Sequence, residues 1–259
     1  RRTRMREKLL QLDGIEPDDV IMSPSRASEA GLGSTVTFPA GNIAPEGSVV
    51  KSTAIDPSLL SPEGLFLHEG PARVFGSEAE AIAAVKSTGE EAVREGDVLV
   101  LAGLGPIGGG MPETYQLTSA LRYLPFGGRV VLLTDARFSG VSTGACIGHI
   151  SPEAMAGGPI GKLRDGDRIR IRIDCRNLDG SIEFVSGGGG CTEVNATREL
   201  RDRSINPAIR GHARVPDDTR LWAALQDVGG GSWGGCVYDV DRIIEVLQAG
   251  RKAQASGSE

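Results

Sequence analysis

The chain carries the stretch Arg129-Val130-Val131-Leu132-Leu133-Thr134-Asp135-Ala136-Arg137-Phe138-Ser139-Gly140. Its apolar first half predicts a buried β-strand. The strand then meets an acid, a cation and hydroxyl side chains, and the glycine lets the backbone turn. In α/β folds such loops commonly carry the chemistry, because a rigid strand holds them in place. The continuous apolar run at residues 97–102 predicts a second buried strand.

The length of 259 residues fits one large domain or one domain with appendages. Only 4% of the 259 residues are aromatic, so Val, Ile, Leu and Ala must form the core. The net charge of −6 is spread over both signs, which argues against a nucleic-acid partner. No apolar run reaches the roughly 18 residues of a membrane helix, and no apolar signal region follows the basic start. Four separated cysteines without a CxxC pair favour reduced thiols and a cytoplasmic location.

Local patterns predict the remaining elements. Residues 168–173 alternate Arg and Ile, which predicts a half-buried strand paired with residues 181–185. Ser77 and Glu80 form a capping box for a helix to about residue 86. Short strands are expected at 18–22, 34–38 and 48–53. The chain is expected to divide into a connecting segment (1–33), a β-barrel domain (34–185) and a helical tail (186–259). The tail would have glycine hinges at 186–190 and 229–235 and helices at 192–202, 218–227 and 240–248.

A glycine-rich loop at residues 103–113 leaves a different function open. It contains a GxGxxG pattern directly after a predicted strand, and Asp135 closes the next strand, where a ribose-binding carboxylate would stand. This arrangement is typical of a dinucleotide-binding oxidoreductase domain. Pro106 and the glycines at 108–110 oppose the helix that such a domain needs. A non-catalytic β-barrel interaction domain is the third possibility.

Several side chains near these loops are candidates for chemistry. Glu113 offers one hard oxygen of the kind that Mg²⁺ accepts, or it is a carboxylate at a helix N-terminus. Arg137 could bind a substrate carboxylate through two hydrogen bonds, or pair with Asp135. Ser139 has no base adjacent in sequence and would ordinarily be a turn residue. His149 is expected to be a structural histidine.

Five segments, in one order along residues 41–170, resemble the dihydroxyacid and sugar-acid dehydratase family, which comprises dihydroxyacid, phosphogluconate and aldonate dehydratases. They are Gly41-Asn42-Ile43-Ala44-Pro45-Glu46-Gly47-Ser48-Val49-Val50-Lys51, Gly70-Pro71-Ala72-Arg73-Val74-Phe75, Gly110-Met111-Pro112-Glu113, Thr134-Asp135-Ala136-Arg137-Phe138-Ser139-Gly140, and Gly148-His149-Ile150-Ser151-Pro152-Glu153-Ala154 with 157–160. Residues 216–222 and 234–240 are most similar to the xylonate dehydratase branch. Ala136 stands where many relatives have Gly, although the sugar-acid branches tolerate it.

The resemblance implies an α/β, β-rich fold with a swivelling-type β-barrel core flanked by helices. It implies the C-terminal part of a hydro-lyase that converts a sugar acid, D-xylonate or a similar aldonate, to the 2-oxo-3-deoxy acid. Dihydroxyacid or phosphogluconate dehydratase activity is the alternative. By resemblance, Ser139 is the base at carbon 2 and Glu113 is a Mg²⁺ ligand. Arg137, Ser142 and Thr143 are assigned to substrate binding.

The resemblance also implies what this chain lacks. An iron–sulfur cluster, expected to be [2Fe–2S], and a metal-binding lysine belong to a larger N-terminal domain of the same polypeptide. None of the four cysteines here is therefore expected to be a cluster ligand, and the chain alone is expected to be inactive. The expected partners are that N-terminal domain, a small sugar acid and further copies in a homodimer or a dimer of dimers. Neither nucleic acid nor a membrane is expected as a partner.

Overall fold

The computed structural model describes residues 2–29, 35–186, 193–231 and 237–256, and the chain divides into compact units at residues 1–35 and 36–259. The smaller unit is helical: α1 (Arg2–Asp13), α2 (Pro17–Val20) and α3 (Pro24–Glu29). The strand predicted at 18–22 is wrong. Pro17 takes the first helical position, where its missing N–H is not needed. The negative charges of Asp18 and Asp19 in the first turn interact favourably with the positive end of the helix dipole.

The larger unit is built on a mixed seven-stranded sheet within the described residues. The strands are β1 (Gly47–Val50), β2 (Leu65–Phe75), β3 (Val98–Leu101), β4 (Val131–Thr134), β5 (Cys146–Ser151), β6 (Arg168–Asp174) and β7 (Asp179–Ser186). The helices are α4 (Glu78–Lys86), α5 (Pro106–Gly109), α6 (Tyr115–Leu121), α7 (Glu193–Asp202), α8 (Asp217–Val228) and α9 (Val240–Ser256). The strand order is β1-β5-β4-β3-β2-β6-β7, with parallel pairing from β5 through β2. The expected α/β class is confirmed.

The sheet curls into a half-barrel, and the segment at 37–40 contacts both of its edges. Thr37 exchanges backbone hydrogen bonds of 2.9 Å with Val50 in β1. Ala40 accepts from the Ile182 N–H in β7 at 3.0 Å. These bonds give partners to edge groups that would otherwise be open to another chain. The strand predicted at 34–38 is reduced to the Thr37 bridge in its described part, and Ser34 lies outside the described residues; Pro39, which follows, has no N–H to extend a ladder.

The two strands predicted to be buried lie side by side at the centre of the sheet, and both predictions are confirmed. Side chains of β3 and β4 alternate between two apolar cores. Val98 and Val100 face the concave core, whereas Leu99 and Leu101 face a second core that α4 and α6 cover. The apolar run is continuous because both faces of these strands are buried.

The patterned elements are also as predicted. β6 buries Ile169, Ile171 and Ile173 completely and pairs with β7. Its arginines lie at the surface, where the Arg170 guanidinium binds the Glu69 carboxylate at 2.9 Å. Helix α4 begins after Ser77, whose Oγ accepts the Glu80 N–H at 3.3 Å. The strand expected at 48–53 ends at Val50, and a 3₁₀ turn (Ser52–Ala54) follows.

The three helices predicted for the tail are α7, α8 and α9. Helix α7 packs against β7, and α8 packs against α5. The predicted glycine hinges lie largely outside the described residues, at 187–190 and 232–235. Among the helices that the structure describes, none is long and apolar enough to cross a membrane.

Candidate active site

The loops that follow β3 and β4 meet at one edge of the sheet. The two strands are neighbours and parallel, with Val98 opposite Val131 and Leu101 opposite Thr134. Beyond the strands the loops pair again, because the Arg137 N–H donates to the Pro112 carbonyl at 3.1 Å. The Thr114 N–H in turn donates to the Arg137 carbonyl at 2.9 Å. Glu113 therefore lies opposite Arg137, and Ser139 follows two residues later.

Asp135 holds this edge together. Its carboxylate is buried and accepts N–H groups of Gly103, Leu104 and Ala154, each at 3.0 Å. Burial raises the pKa of Asp135 above its ordinary value, and the three donors oppose that rise. A carboxylate committed to three backbone donors has little capacity for a ribose hydroxyl, which removes the basis for the dinucleotide interpretation.

Arg137 uses another partner. Its Nε donates to the Met111 carbonyl at 2.8 Å, which connects the loop after β4 to the loop after β3. The alternative prediction from the sequence was a pair between Arg137 and Asp135. The glycine loop forms a single helical turn, α5, and then stops at Gly110, which is left-handed with φ 70°. The pattern that resembles a dinucleotide fingerprint thus opens a helix of only one turn.

Ser139 lies in a tight turn with donors around it. Its side chain is almost buried, and its Oγ accepts the Val141 N–H at 3.4 Å. The Ser139 carbonyl accepts the Ser142 N–H at 3.0 Å. The Lys51 ammonium donates to the carbonyl of the next residue, Gly140. An N–H donor and a nearby cation both favour a negative charge on the Ser139 oxygen.

Sequence reasoning gave Lys51 no role, although it closes the segment at 41–51. The signal available was a lysine directly after an apolar strand, at the end of a recognisable motif. Only the sheet order, which places β1 next to β5 and β5 next to β4, brings it to the Ser139 loop.

The two other proposed substrate residues differ in their surroundings. Ser142 is buried, and its hydroxyl forms a hydrogen bond of 3.0 Å with the Thr118 hydroxyl in α6. Thr143 is exposed at the surface of the same loop. Of the two, Thr143 has the side chain that a ligand at this edge could reach without breaking an existing hydrogen bond.

Glu113 is exposed and borders a cavity of about 470 Å³. Arg210 and His212, from the segment before α8, line the same cavity with Ser77. In the part of the chain that the structure describes, no group of three or more acidic, histidine or cysteine side chains could hold a metal ion. An exposed carboxylate such as that of Glu113 can supply one oxygen to Mg²⁺, which commonly takes only one or two protein carboxylates beside water and substrate.

His149 lies near Ser139 in an unusual conformation. Its φ is 55°, in the left-handed region that disfavours side chains with a Cβ. Its ring meets the edge of the Phe138 ring with centroids 6.2 Å apart. Burial, and then the charge of Arg137, lower the pKa of His149, so the imidazole is neutral at neutral pH.

Glu153 is a buried carboxylate that the sequence analysis did not single out. It accepts the N–H groups of Ile107 at 2.8 Å and Gly108 at 3.1 Å, in the first turn of α5. Burial raises its pKa to about 7, and the negative charges of Asp135 and Asp227 add to this rise. The carboxyl group therefore titrates near neutral pH.

The raised pKa of Glu153 predicts a pH effect on stability. The pKa of Glu153 is higher in the folded protein, about 7, than its ordinary value of 4.5. The protonated carboxyl group therefore stabilises the fold fully below about pH 4.5, and this contribution is lost as the pH rises towards 7. We expect the free energy of unfolding to fall between pH 5 and pH 8 by on the order of 2 kcal/mol from this group. Chemical denaturation at several pH values measures it. The fall should shrink in Glu153→Gln and persist in Glu90→Gln, an exposed control; an unchanged slope in Glu153→Gln would show that the group does not titrate in this range.

The two described cysteines, Cys146 and Cys175, are free thiols. Cys146 is buried in β5, and burial raises the pKa of its thiol to about 12. Cys175 directly follows β6, which is separated from β5 by three strands in the sheet order. Burial also raises the pKa of this thiol. Cys191 and Cys236 lie outside the described residues.

Comparison with known proteins finds one family. Residues 19–214 match the model for the C-terminal domain of dihydroxy-acid/6-phosphogluconate dehydratases. The D-xylonate dehydratases YagF and YjhG of Escherichia coli K12 are 57% and 54% identical over 98% and 96% of this chain. A dihydroxy-acid dehydratase of Methanoregula boonei is 43% identical over 82% of the chain, and one of Lachnospira eligens is 53% identical over 54%. The chain spans 38% of the length of the two xylonate dehydratases.

Proposed function

The chain belongs to the dihydroxy-acid/6-phosphogluconate dehydratase family, and from this premise we propose that it is the C-terminal part of a hydro-lyase acting on a sugar acid. The substrate is D-xylonate or a similar aldonate, and the product is the 2-oxo-3-deoxy acid. The observation that carries the proposal is the pairing of the Glu113 and Ser139 loops at one sheet edge. The identity to two D-xylonate dehydratases over nearly the whole chain supports the choice of substrate.

Ser139 removes the proton from carbon 2 in this reaction. The C2–H electron pair becomes the C2=C3 bond, and the hydroxyl on carbon 3 leaves as water with the proton that Ser139 took from carbon 2, which returns Ser139 to its starting form. The resulting enol tautomerises to the 2-oxo acid. A serine hydroxyl is a weak base at neutral pH and must first lose its own proton. The Val141 N–H, which donates to the Ser139 Oγ, and the charge of Lys51, whose ammonium binds the neighbouring Gly140 carbonyl, favour the alkoxide form and oppose the cost of burying its charge.

Glu113 would hold Mg²⁺ at the same edge. Bound there, the ion would supply positive charge that stabilises the negative charge developing on the acid as the proton leaves. Two residues of chain span at most about 7 Å, and paired backbones lie about 5 Å apart, so Glu113 and Ser139 are within about 12 Å of each other. One small acid with its metal ion can reach both side chains.

Arg137 and Thr143 bind the acid around the reacting carbons. The Arg137 guanidinium keeps its remaining N–H groups for a carboxylate while its Nε holds the Met111 carbonyl. Ser142 positions the loop through Thr118, and its contact with substrate is indirect in this arrangement.

The iron–sulfur cluster and the other Mg²⁺ ligands come from the larger N-terminal domain of the same polypeptide. We assign no cluster ligand to Cys146 or Cys175. The enzyme is a cytoplasmic homodimer or dimer of dimers. A dihydroxyacid substrate is the second candidate, favoured by the 43% identity to the Methanoregula boonei dihydroxy-acid dehydratase over 82% of the chain.

A substrate panel tests this function. We expect the full-length protein with Mg²⁺ to convert D-xylonate or another aldonate faster than 2,3-dihydroxy-3-methylbutanoate or 6-phosphogluconate. The rate is measured by detecting the 2-oxo acid that forms. The same assay on the 259-residue chain alone should give no turnover, since the N-terminal metal and cluster ligands are missing. A clear preference for either of the last two acids contradicts the proposed substrate. Turnover by the chain alone contradicts the division of the site between two domains.

A further inference from the structure

Helix α8 borders an open cavity of about 460 Å³ next to the Ser139 edge. Asp218, Thr219 and Trp222 of α8 form one wall. The opposite wall comes from the end of the glycine loop and from the residues beside Ser139: Gly110, Met111, Arg137 and His149. A neutral imidazole, a guanidinium, a carboxylate and an indole therefore surround one space.

The helix is seated closely on the loop. A Cβ atom at Gly110 would lie 2.4 Å from the Thr219 Cγ2, so only glycine allows this approach. Gly110 also has φ 70°, which independently favours glycine. The position of Trp222 is thus set by close packing of α8 against the glycine loop.

Backbone strain is concentrated at the same cavity. Met111 has φ 59° and His149 has φ 55°, and both line it. The other non-glycine residue with positive φ in the described chain is Leu178, in the turn between β6 and β7. Strained residues of this kind persist where the surrounding structure holds them, commonly at ligand sites.

Helix α8 lies beyond the residues that the family model matches. The family match ends at residue 214, and α8 begins at Asp217. The two xylonate dehydratases match at least 251 of 259 residues, which includes α8. Matches to dihydroxy-acid dehydratases vary in length, from 140 residues for that of Lachnospira eligens to 217 residues for that of Methanoregula boonei.

We propose that Trp222 and Asp218 are specificity-determining residues that receive the hydroxylated end of the sugar acid, which rests on the proposed function. The C–H face of a polyol chain packs on the indole, and its distal hydroxyls donate to the Asp218 carboxylate. A branched-chain dihydroxy acid has only alkyl groups beyond carbon 3, so it would bury Asp218 without a partner. A site built to hydrogen-bond a substrate hydroxyl rejects the analogue that lacks it.

The test compares two substrates in variants of the full-length enzyme. Trp222→Ala should lower kcat/KM for D-xylonate about tenfold or more, mainly through KM, and change kcat/KM for 2,3-dihydroxy-3-methylbutanoate less than about threefold. Asp218→Asn, an exposed position where folding is not at risk, should shift the same ratio by several-fold. Leu221→Ala removes a neighbouring apolar side chain of α8 that is 62% exposed, and it should leave both substrates unchanged.

A binding measurement supplies a second readout. D-Xylonate should change the tryptophan fluorescence of the parent enzyme, and this change should be lost in Trp222→Phe. A parent that converts D-xylonate, with a preference unchanged in both Trp222→Ala and Asp218→Asn, overturns this inference alone. A parent that does not convert D-xylonate or any other aldonate overturns the proposed function, and the inference with it.

Discussion

The Ser139→Ala variant of the full-length enzyme should lose activity by about a thousandfold or more in kcat, with KM changed less than about threefold. A positioned general base contributes about 10²–10⁴ to a proton transfer, and no other base is adjacent in the loop. Alanine keeps the Cβ and loses only the hydroxyl, so the shape of the site changes little. Substrate would still be held by Arg137 and the metal, which is why the loss belongs in kcat.

Exchange of the carbon-2 proton makes the Ser139 test specific. If proton removal is reversible, the parent enzyme should incorporate deuterium from deuterated water into unreacted substrate. The Ser139→Ala variant should show no such incorporation. Ser119→Ala, which removes a serine hydroxyl from α6, is the matched control and should keep parental kcat. A Ser139→Ala enzyme with parental kcat would mean that another group takes the proton.

The Glu113→Gln variant should need at least about tenfold more Mg²⁺ for half-maximal activity. The amide keeps the side chain's size but removes its charge, and a hard divalent cation prefers the charged oxygen. Glu113→Asp keeps the charge on a shorter side chain, so it should fall between the two. Titration of activity against Mg²⁺, and direct calorimetric titration of Mg²⁺ into each protein, measure the change.

Glu90→Gln is the control for the magnesium titration, since it removes one exposed carboxylate without touching the sheet edge. It should bind Mg²⁺ as the parent does. If Glu113→Gln keeps parental Mg²⁺ affinity in the calorimetric titration, Glu113 is not a ligand. The carboxylate would then stabilise α6 through the positive end of its helix dipole, which is the other interpretation of its position.

Much of the fold could be predicted because the relevant signals are local. The apolar runs at β3 and β4, the Arg–Ile alternation of β6 and the Ser77 cap each act within a few residues. The strand predicted at 18–22 was wrong for an equally local reason, since Pro17 and two aspartates start a helix. Backbone geometry favoured the helix even though the apolar content resembled a strand.

The site was predictable only in part. Ser139 and Glu113 were identified from motifs, and their shared sheet edge followed from the expectation that two buried strands are parallel neighbours. Their roles stay predictions. The sequence could not show that Asp135 faces three backbone donors, because those donors belong to loops 19 to 32 residues away. Lys51 was missed for the same reason, being 89 residues from its partner Gly140.

The sequence by itself determined the family, the buried central strands and the residues that carry the proposed chemistry, because each of these is written in contiguous residues. Only the tertiary structure decided which of them meet. Sheet order brings Lys51 to the Ser139 turn, buried N–H groups commit Asp135 to a structural role, and close packing at Gly110 sets Trp222 opposite Arg137. Such contacts depend on chain segments far apart in sequence, whose approach is determined by the burial of both faces of the sheet rather than by any local pattern.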